Sequence, residues 1–244
     1  KQILVFDKLL NDKESFLEDQ KDYTKIISNY VSISKLQKEV RLNQQGVFFK
    51  SLVFYIIALL FILISWMCES FNLKNTSKII KLISFALITT GFFFHLYGMI
   101  IRMYVMGRPP VTTLYESILF VCFILLLISL VVEWIRRDSL GLFIGAVGGS
   151  ILHFIALKYA NDGDTMGVLV AVLDNNFWLS THVTTITLGY GVALFTGLMA
   201  HVYLLYASIY PSNKDKLKII FGNIYTLTFI ALFFTMVGTI LGGI

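Results

Sequence analysis

The sequence predicts an all-α fold, a polytopic membrane helix bundle of about six transmembrane helices. Three observations carry this. First, of the 244 residues 57 % are hydrophobic and only 14 % charged, against the charged share of roughly 25 % that a soluble domain carries. Second, the charges are unevenly spread: residues 1–46 hold 15 of the 35 Asp, Glu, Lys and Arg residues, and the rest fall mostly in short clusters between apolar runs. Third, those runs show no period-2 alternation. Only helices and closed barrels satisfy the backbone in lipid, so helices follow.

Residues 1–46 are amphipathic, with Phe16, Tyr23, Ile26, Ile27 and Tyr30 at about helical spacing. They read as an extracytoplasmic flanking helical region. Residues 47–244 form the membrane domain. Its apolar runs are about Leu52–Cys68, Ile79–Ile101, Leu114–Trp134, Leu140–Leu157, Phe177–Tyr206 and Ile219–Gly243. A span needs roughly 20 residues at 1.5 Å rise. The fourth run is marginal, and its Gly141, Gly145, Gly148 and Gly149 predict close packing on a neighbour. The fifth is long enough to tilt or to begin above the membrane surface. The chain begins at Lys1 and stops at Gly242-Gly243-Ile244, which reads as a segment of a longer protein.

The net charge of +5 is a topology signal rather than a nucleic-acid signal, because Lys and Arg mark cytoplasmic loops. The loops after runs one, three and five carry Lys74, Lys78, Lys81, Arg136, Arg137, Lys214, Lys216 and Lys218, whereas those after runs two and four carry Arg102, Arg108 and Lys158. The first set is assigned to the cytoplasm, with both ends of the segment outside. Asp162, Asp164 and Asp174 fit an outside loop; Lys35, Lys38, Arg41 and Lys50 before the first run oppose it, unless they belong to a folded domain. Cys68 and Cys122 show no metal spacing and read as packing residues. There is no Gly-rich phosphate loop, no HExxH and no serine triad.

Ionisable groups inside a bilayer are expensive and mark function by default. His182 lies in Asn175-Asn176-Phe177-Trp178-Leu179-Ser180-Thr181-His182-Val183-Thr184-Thr185, at the outer mouth of run five. Trp178 lies four residues earlier and Gly189 seven later on the same helical face. An imidazole at a water-accessible membrane edge beside an aromatic suits axial ligation of haem iron. The same pattern also describes an ordinary interfacial His beside an interfacial Trp. His95 and His153 lie roughly 9 Å and 6 Å below the outer ends of their runs by the helical rise. They either share a buried haem or bond neighbouring helices. His201, 19 residues after His182, is too far along the helix to ligate the same iron. Thr113 and Glu116 have capping-box spacing, and Pro109-Pro110 stops the preceding helix. Arg108 or Arg102 is a candidate partner for a haem propionate. Glu133, with Arg136 and Arg137, reads as a solvated interface.

Gly107-Arg108-Pro109-Pro110…Leu114-Tyr115-Glu116-Ser117, then Asn176-Phe177-Trp178-Leu179-Ser180-Thr181-His182-Val183-Thr184, then Gly189-Tyr190-Gly191 resemble the cytochrome c assembly proteins of the CcsA (ResC-like) type, members of the haem-handling WWD family. The resemblance covers about Phe92 to Ile244. The Tyr-Glu-Ser and Trp-Leu-x-x-His-Val stretches are fairly specific together and would not be alone. The flank and first run, by arrangement rather than motif, read as the tail of a fused CcsB (ResB-like) part of a CcsBA-type cytochrome c synthase.

The resemblance implies a bacterial inner-membrane protein, in preference to a thylakoid one, that holds haem b at the outer face. His182 would be one of two external axial ligands, with Trp178 packing beside the haem and Arg108 contacting a propionate. The implied partners are the bilayer, a CcsB/ResB-like part and an apocytochrome c, with no nucleic acid. The apocytochrome's CxxCH thiols would add to the haem vinyl groups, a cytochrome c haem lyase reaction. The Trp-rich WWD segment normally follows a Gly-Gly like Gly242-Gly243, where this chain stops, so the segment alone is expected to be inactive. No family role transfers to His95, His153 or His201. Two rivals stand beside this reading. One is an integral b-type haem electron carrier using His95 and His153. The other is a permease without a cofactor.

Overall fold

The computed structural model describes residues 33–109, 111–161 and 176–243, and every regular element among them is an α-helix. These are α1 (Ile33–Gln45), α2 (Val47–Ser70), α3 (Lys74–Met106), α4 (Leu114–Arg136), α5 (Leu140–Asn161), α6 (Asn176–Ile209) and α7 (Lys214–Gly242). The chain forms two compact units, Lys1–Gln45 and Gly46–Ile244. In the first, α1 is a polar helix of 13 residues. The apolar residues at 16–30 and the three aspartates at 162, 164 and 174 lie outside the described residues.

Among the described residues of the second unit, six helices are long and apolar enough to cross a membrane. Tight turns at 71–73, 137–139 and 210–213 join α2 to α3, α4 to α5 and α6 to α7. The members of each pair run antiparallel and pack on each other; α5 also packs on α2, and α4 on α6. The bundle thus has a turn end, with these three connections, and a loop end, with the α3–α4 and α5–α6 connections and the last turn of α7. Large apolar side chains such as Leu60, Phe93, Trp134, Phe154, Leu204 and Phe233 are exposed around the outside, where lipid is their solvent.

The helices outrun the apolar runs that announced them. The marginal fourth run becomes a helix of 22 residues, and α3 continues five residues past Ile101. Lys74, Lys78 and Lys81 therefore ride on α3, and Lys214, Lys216 and Lys218 on α7, rather than in loops. Helical hydrogen bonding continues where hydropathy falls, because lysines at a membrane edge reach water without unwinding the backbone.

The stripe of glycines on α5 does what its spacing predicted. A β-carbon at Gly141 would sit 2.8 Å from the Ser129 carbonyl oxygen, and one at Gly145 2.6 Å from Ser129 Cβ. One at Gly148 would sit 2.8 Å from a Leu125 methyl. Backbone-to-backbone approach replaces side-chain interdigitation there. It also brings Ser129 Oγ to 2.7 Å from the Gly141 carbonyl, to which it donates.

The α4–α5 turn overturns one expectation. Glu133 is not a solvated interface residue but is 6 % exposed. Its Oε1 accepts from the Ser139 N–H at 3.0 Å, and Leu140 N–H donates to Asp138 at 3.1 Å. Arg137 and Ser139 take positive φ of 57° and 67°, a strained choice for side-chain-bearing residues. The carboxylate acceptors compensate by satisfying the turn's backbone donors.

Candidate functional site

At the loop end the chain builds a charge cluster around Glu116. Thr113 caps α4: its hydroxyl accepts from Glu116 N–H at 3.2 Å, and Glu116 Oε2 accepts from Thr113 N–H at 3.2 Å. The same oxygen accepts from the Thr112 hydroxyl at 2.6 Å. The other oxygen faces two guanidiniums, Arg102 at 3.4 Å and Arg108 at 3.8 Å. Arg102 also lies 4.8 Å from the Tyr115 ring centroid. Glu116 is 1 % and Arg102 4 % exposed, so each charge is compensated by the other rather than by water. Arg102, expected in a loop, is on α3, inside the fold. The two arginines thus share one oxygen of this carboxylate. Arg108 is the more exposed of the pair, at 17 % of its side chain.

His182 lies on the second turn of α6, and Trp178, one turn earlier, is 43 % exposed. Phe177 and Trp178 pair edge to face, 5.5 Å between centroids. The decisive feature is across the helix pair. His182 Nδ1 lies 2.6 Å from the Gly238 carbonyl of α7. A carbonyl only accepts, so Nδ1 carries the proton and Nε2 carries the lone pair. That second-helix bond fixes tautomer and ring orientation as the outer partner of a metal-ligating histidine does. Glycines make it possible. A β-carbon at Gly238 would fall 2.8 Å from the Ile186 backbone, and one at Gly242 2.4 Å from the His182 ring itself. Farther along α6, Gly189 lets Thr235 approach equally closely. Gly238 and Gly242 form a G-x-x-x-G pair, the spacing for close helix approach in lipid.

The other histidines differ. His201 is exposed, and its Nδ1 bonds the Gly197 carbonyl of its own helix at 2.7 Å. His95 of α3 and His153 of α5 are fully buried and meet, with Cys122 of α4, in the interior. One nitrogen of each imidazole and the Cys122 sulfur all lie within 4.8 Å of one another. His153 Nδ1 is 3.0 Å from the Gly149 carbonyl and 3.3 Å from Cys122 Sγ. His153 Nε2 and both nitrogens of His95 make no well-formed hydrogen bond, although the Leu119 backbone is near enough to His95 to act on it. The imidazole centroids are 4.7 Å apart with planes at 85°. With metal–nitrogen bonds of roughly 2 Å, two imidazoles on opposite faces of one porphyrin iron put their centroids about 6 Å apart. This pair is too close for that.

No family model matches the chain. Among curated proteins, it is 33 % identical over 145 residues to the cytochrome c biogenesis protein CcsA of Trieres chinensis, covering 58 % of this chain and 45 % of that protein. It is 31 % identical over 100 residues to CcsA of Picosynechococcus sp., covering 41 % and 29 % of the two. Similarity to the protein NrfI of Wolinella succinogenes, at 29 % identity, runs over 218 residues, 87 % of this chain and 24 % of that protein. The chain is CcsA-like. It spans less than half the length of each of these relatives.

Within this CcsA-like chain, the structure keeps the sequence candidates in two places. His182 and Trp178 share the outer part of α6, while Arg108 belongs to the Glu116 cluster between α3 and α4. Sequence reasoning missed the Gly238–Gly242 backstop, although the G-x-x-x-G spacing is legible. It also read Cys122 as packing alone, and no local signal ties that residue to histidines on two other helices.

Proposed function

We propose that this chain acts in cytochrome c maturation as the part of a cytochrome c synthase that holds haem at the outer membrane face. The observation that carries the reading is the His182–Gly238 bond, which orients the ring and commits Nδ1 as the donor, so that Nε2 is the nitrogen proposed to meet the iron. Similarity to proteins named for cytochrome c biogenesis supports it. The turn end, with Lys74, Lys78, Lys81, Arg136, Arg137, Lys214, Lys216 and Lys218, is assigned to the cytoplasm, so His182 faces outward. Haem b is the cargo. Trp178 offers an aromatic face beside it, and Arg108, the more exposed arginine of the Glu116 cluster, is the proposed partner for a propionate.

In this reading the chain's residues position rather than react. His182 fixes the iron, and the α6–α7 contact fixes His182. The apocytochrome's CxxCH thiols add across the vinyl groups of the held haem, and its histidine takes an axial position. The rate gain comes from orientation, which is worth several kcal/mol in well-aligned systems, about 7–11 at the upper end. A CcsB/ResB-like part and a second external histidine are the implied partners.

Purification in detergent with haem supplied tests this. Wild type is expected to show a haem absorption spectrum, His182→Ala to lose or shift it, and His95→Ala to keep it. A normal spectrum for His182→Ala sinks the assignment.

A further inference from the structure

We propose that His95, Cys122 and His153 form an intramembrane binding site for a monovalent soft cation, copper(I), separate from haem handling and not dependent on it. The donor set is the first argument. Two neutral imidazoles and a thiol lie within 4.8 Å of one another, each fully buried. Thiolate sulfur with imidazole nitrogen selects copper(I) or zinc among biological cations.

The second argument is the pattern of used and unused nitrogens. His153 donates from Nδ1 to the Gly149 carbonyl at 3.0 Å, so Nε2 holds the lone pair, with no partner. That is the outer bond of a metal-ligating histidine. Both nitrogens of His95 lack a well-formed bond, and leaving a buried polar group unpaired is unfavourable. A cation would convert these orphans into ligands. An ion with bonds of roughly 2.0–2.3 Å needs its three donors about 3.5–4 Å apart, against the 4.8 Å within which the sulfur and one nitrogen of each imidazole lie, so the side chains close on the ion. His95, held by no strong bond, is the side chain that moves.

Charge chooses between the metals. Copper(I) displaces the Cys122 thiol proton, which leaves to bulk water, and a Cu–S bond replaces S–H. One positive charge enters and one leaves, so the site stays neutral. Zinc(II) would leave a net positive charge walled by aromatic rings. Phe48 lies 5.7 Å from His95 and Tyr55 5.2 Å from His153, while Phe123 lies 6.0 Å from His95. The carboxylate closest to Cys122 along α4 is Glu116, six residues away, about 9 Å by helical rise, and two arginines already claim it. An uncompensated buried charge is strongly disfavoured. Zinc also prefers a fourth ligand.

The test is copper(I) titration of the purified full chain, prepared without haem, against a chromophoric copper(I) chelator under reductant, with X-ray absorption on the loaded protein. One equivalent per chain is expected, with one sulfur and two nitrogen scatterers. Cys122→Ser, which barely changes volume, is expected to weaken retention at least tenfold and to abolish the sulfur scatterer, as His153→Gln does in losing one nitrogen. Cys68→Ser is expected to behave as wild type. A melting temperature recorded for each variant in the absence of copper identifies any that has simply lost its fold, and for such a variant His95→Gln is the substitute. Copper that persists unchanged in folded Cys122→Ser, or zinc retained in preference to copper, overturns the proposal.

Discussion

Two histidine sites on one bundle face opposite problems. His182 hangs on the α6–α7 pair, a thin part of the fold where most of α7 is exposed. His95 and His153 sit among α2, α3, α4 and α5, the thickest part, with the rings of Phe48, Tyr55 and Phe123 against them. At the first site one nitrogen is fixed by a neighbouring helix and the ring is only part-buried. At the second, both imidazoles are fully buried against aromatic rings. The comparison teaches that burial alone is not what a bulky ligand needs. A flat macrocycle has to find room beside its ligand, and on the proposed reading the exposed pair offers it, while the crowded core takes a single small ion. Glycine serves both places in different ways: on α7 it admits an imidazole, and on α5 it draws helices together.

Breaking the comparison starts with its strongest link. Glu116→Ala leaves Arg102 buried without its carboxylate, and removing one partner of a buried pair costs about 3–5 kcal/mol. The thick half is expected to melt far below wild type in detergent, and melting within a few degrees of wild type would show that the Arg102 charge reaches water. Next is Gly238→Val, whose β-carbon meets the Ile186 backbone at 2.8 Å. Overpacking of this kind costs about 1–3 kcal/mol. It is expected to remove the haem spectrum while copper(I) retention stays at the wild-type level. Loss of both together would show that the two regions are one cooperative site. Smaller still is Gly145→Ala, which crowds Ser129 on α4. It is expected to lower the melting temperature but leave haem binding intact, and a haem spectrum changed as much as in Gly238→Val would contradict the separation. At the bottom lies Gly222→Ala, also on α7, where a new β-carbon meets nothing within 4 Å. A gain of at most about 1 kcal/mol from helix propensity is expected, read as an unchanged haem spectrum and an equal or higher melting temperature.

The fold was largely legible because its signals are local. Six apolar runs give six helices, the Thr113–Glu116 spacing gives the cap found at α4, and the glycines of α5 give its close contact with α4. What was not legible is tertiary. Arg102 reads as a loop residue because the apolar run stops at Ile101; it stays helical because Glu116, fourteen positions on, neutralises it. Glu133 reads as solvated because nothing nearby in sequence shows that Ser139 turns back to it. His95 and His153 were placed at similar depth from helical rise alone. That Cys122 completes a triangle between them depends on which face α4 presents, and no spacing rule encodes that. His182 is singled out by its neighbours in sequence, but the carbonyl it bonds lies 56 positions away.

The partner that orients His182 is a main-chain carbonyl, not a carboxylate. An anionic partner would pull the Nδ1 proton and make the imidazole a stronger electron donor, tightening its hold on a metal. A peptide oxygen sets the direction while raising the ring's donor strength less than an anion would. On the proposed reading, His182 grips firmly in angle and loosely in bond strength. A carrier needs that balance, because its cargo must be displaced by another protein's histidine.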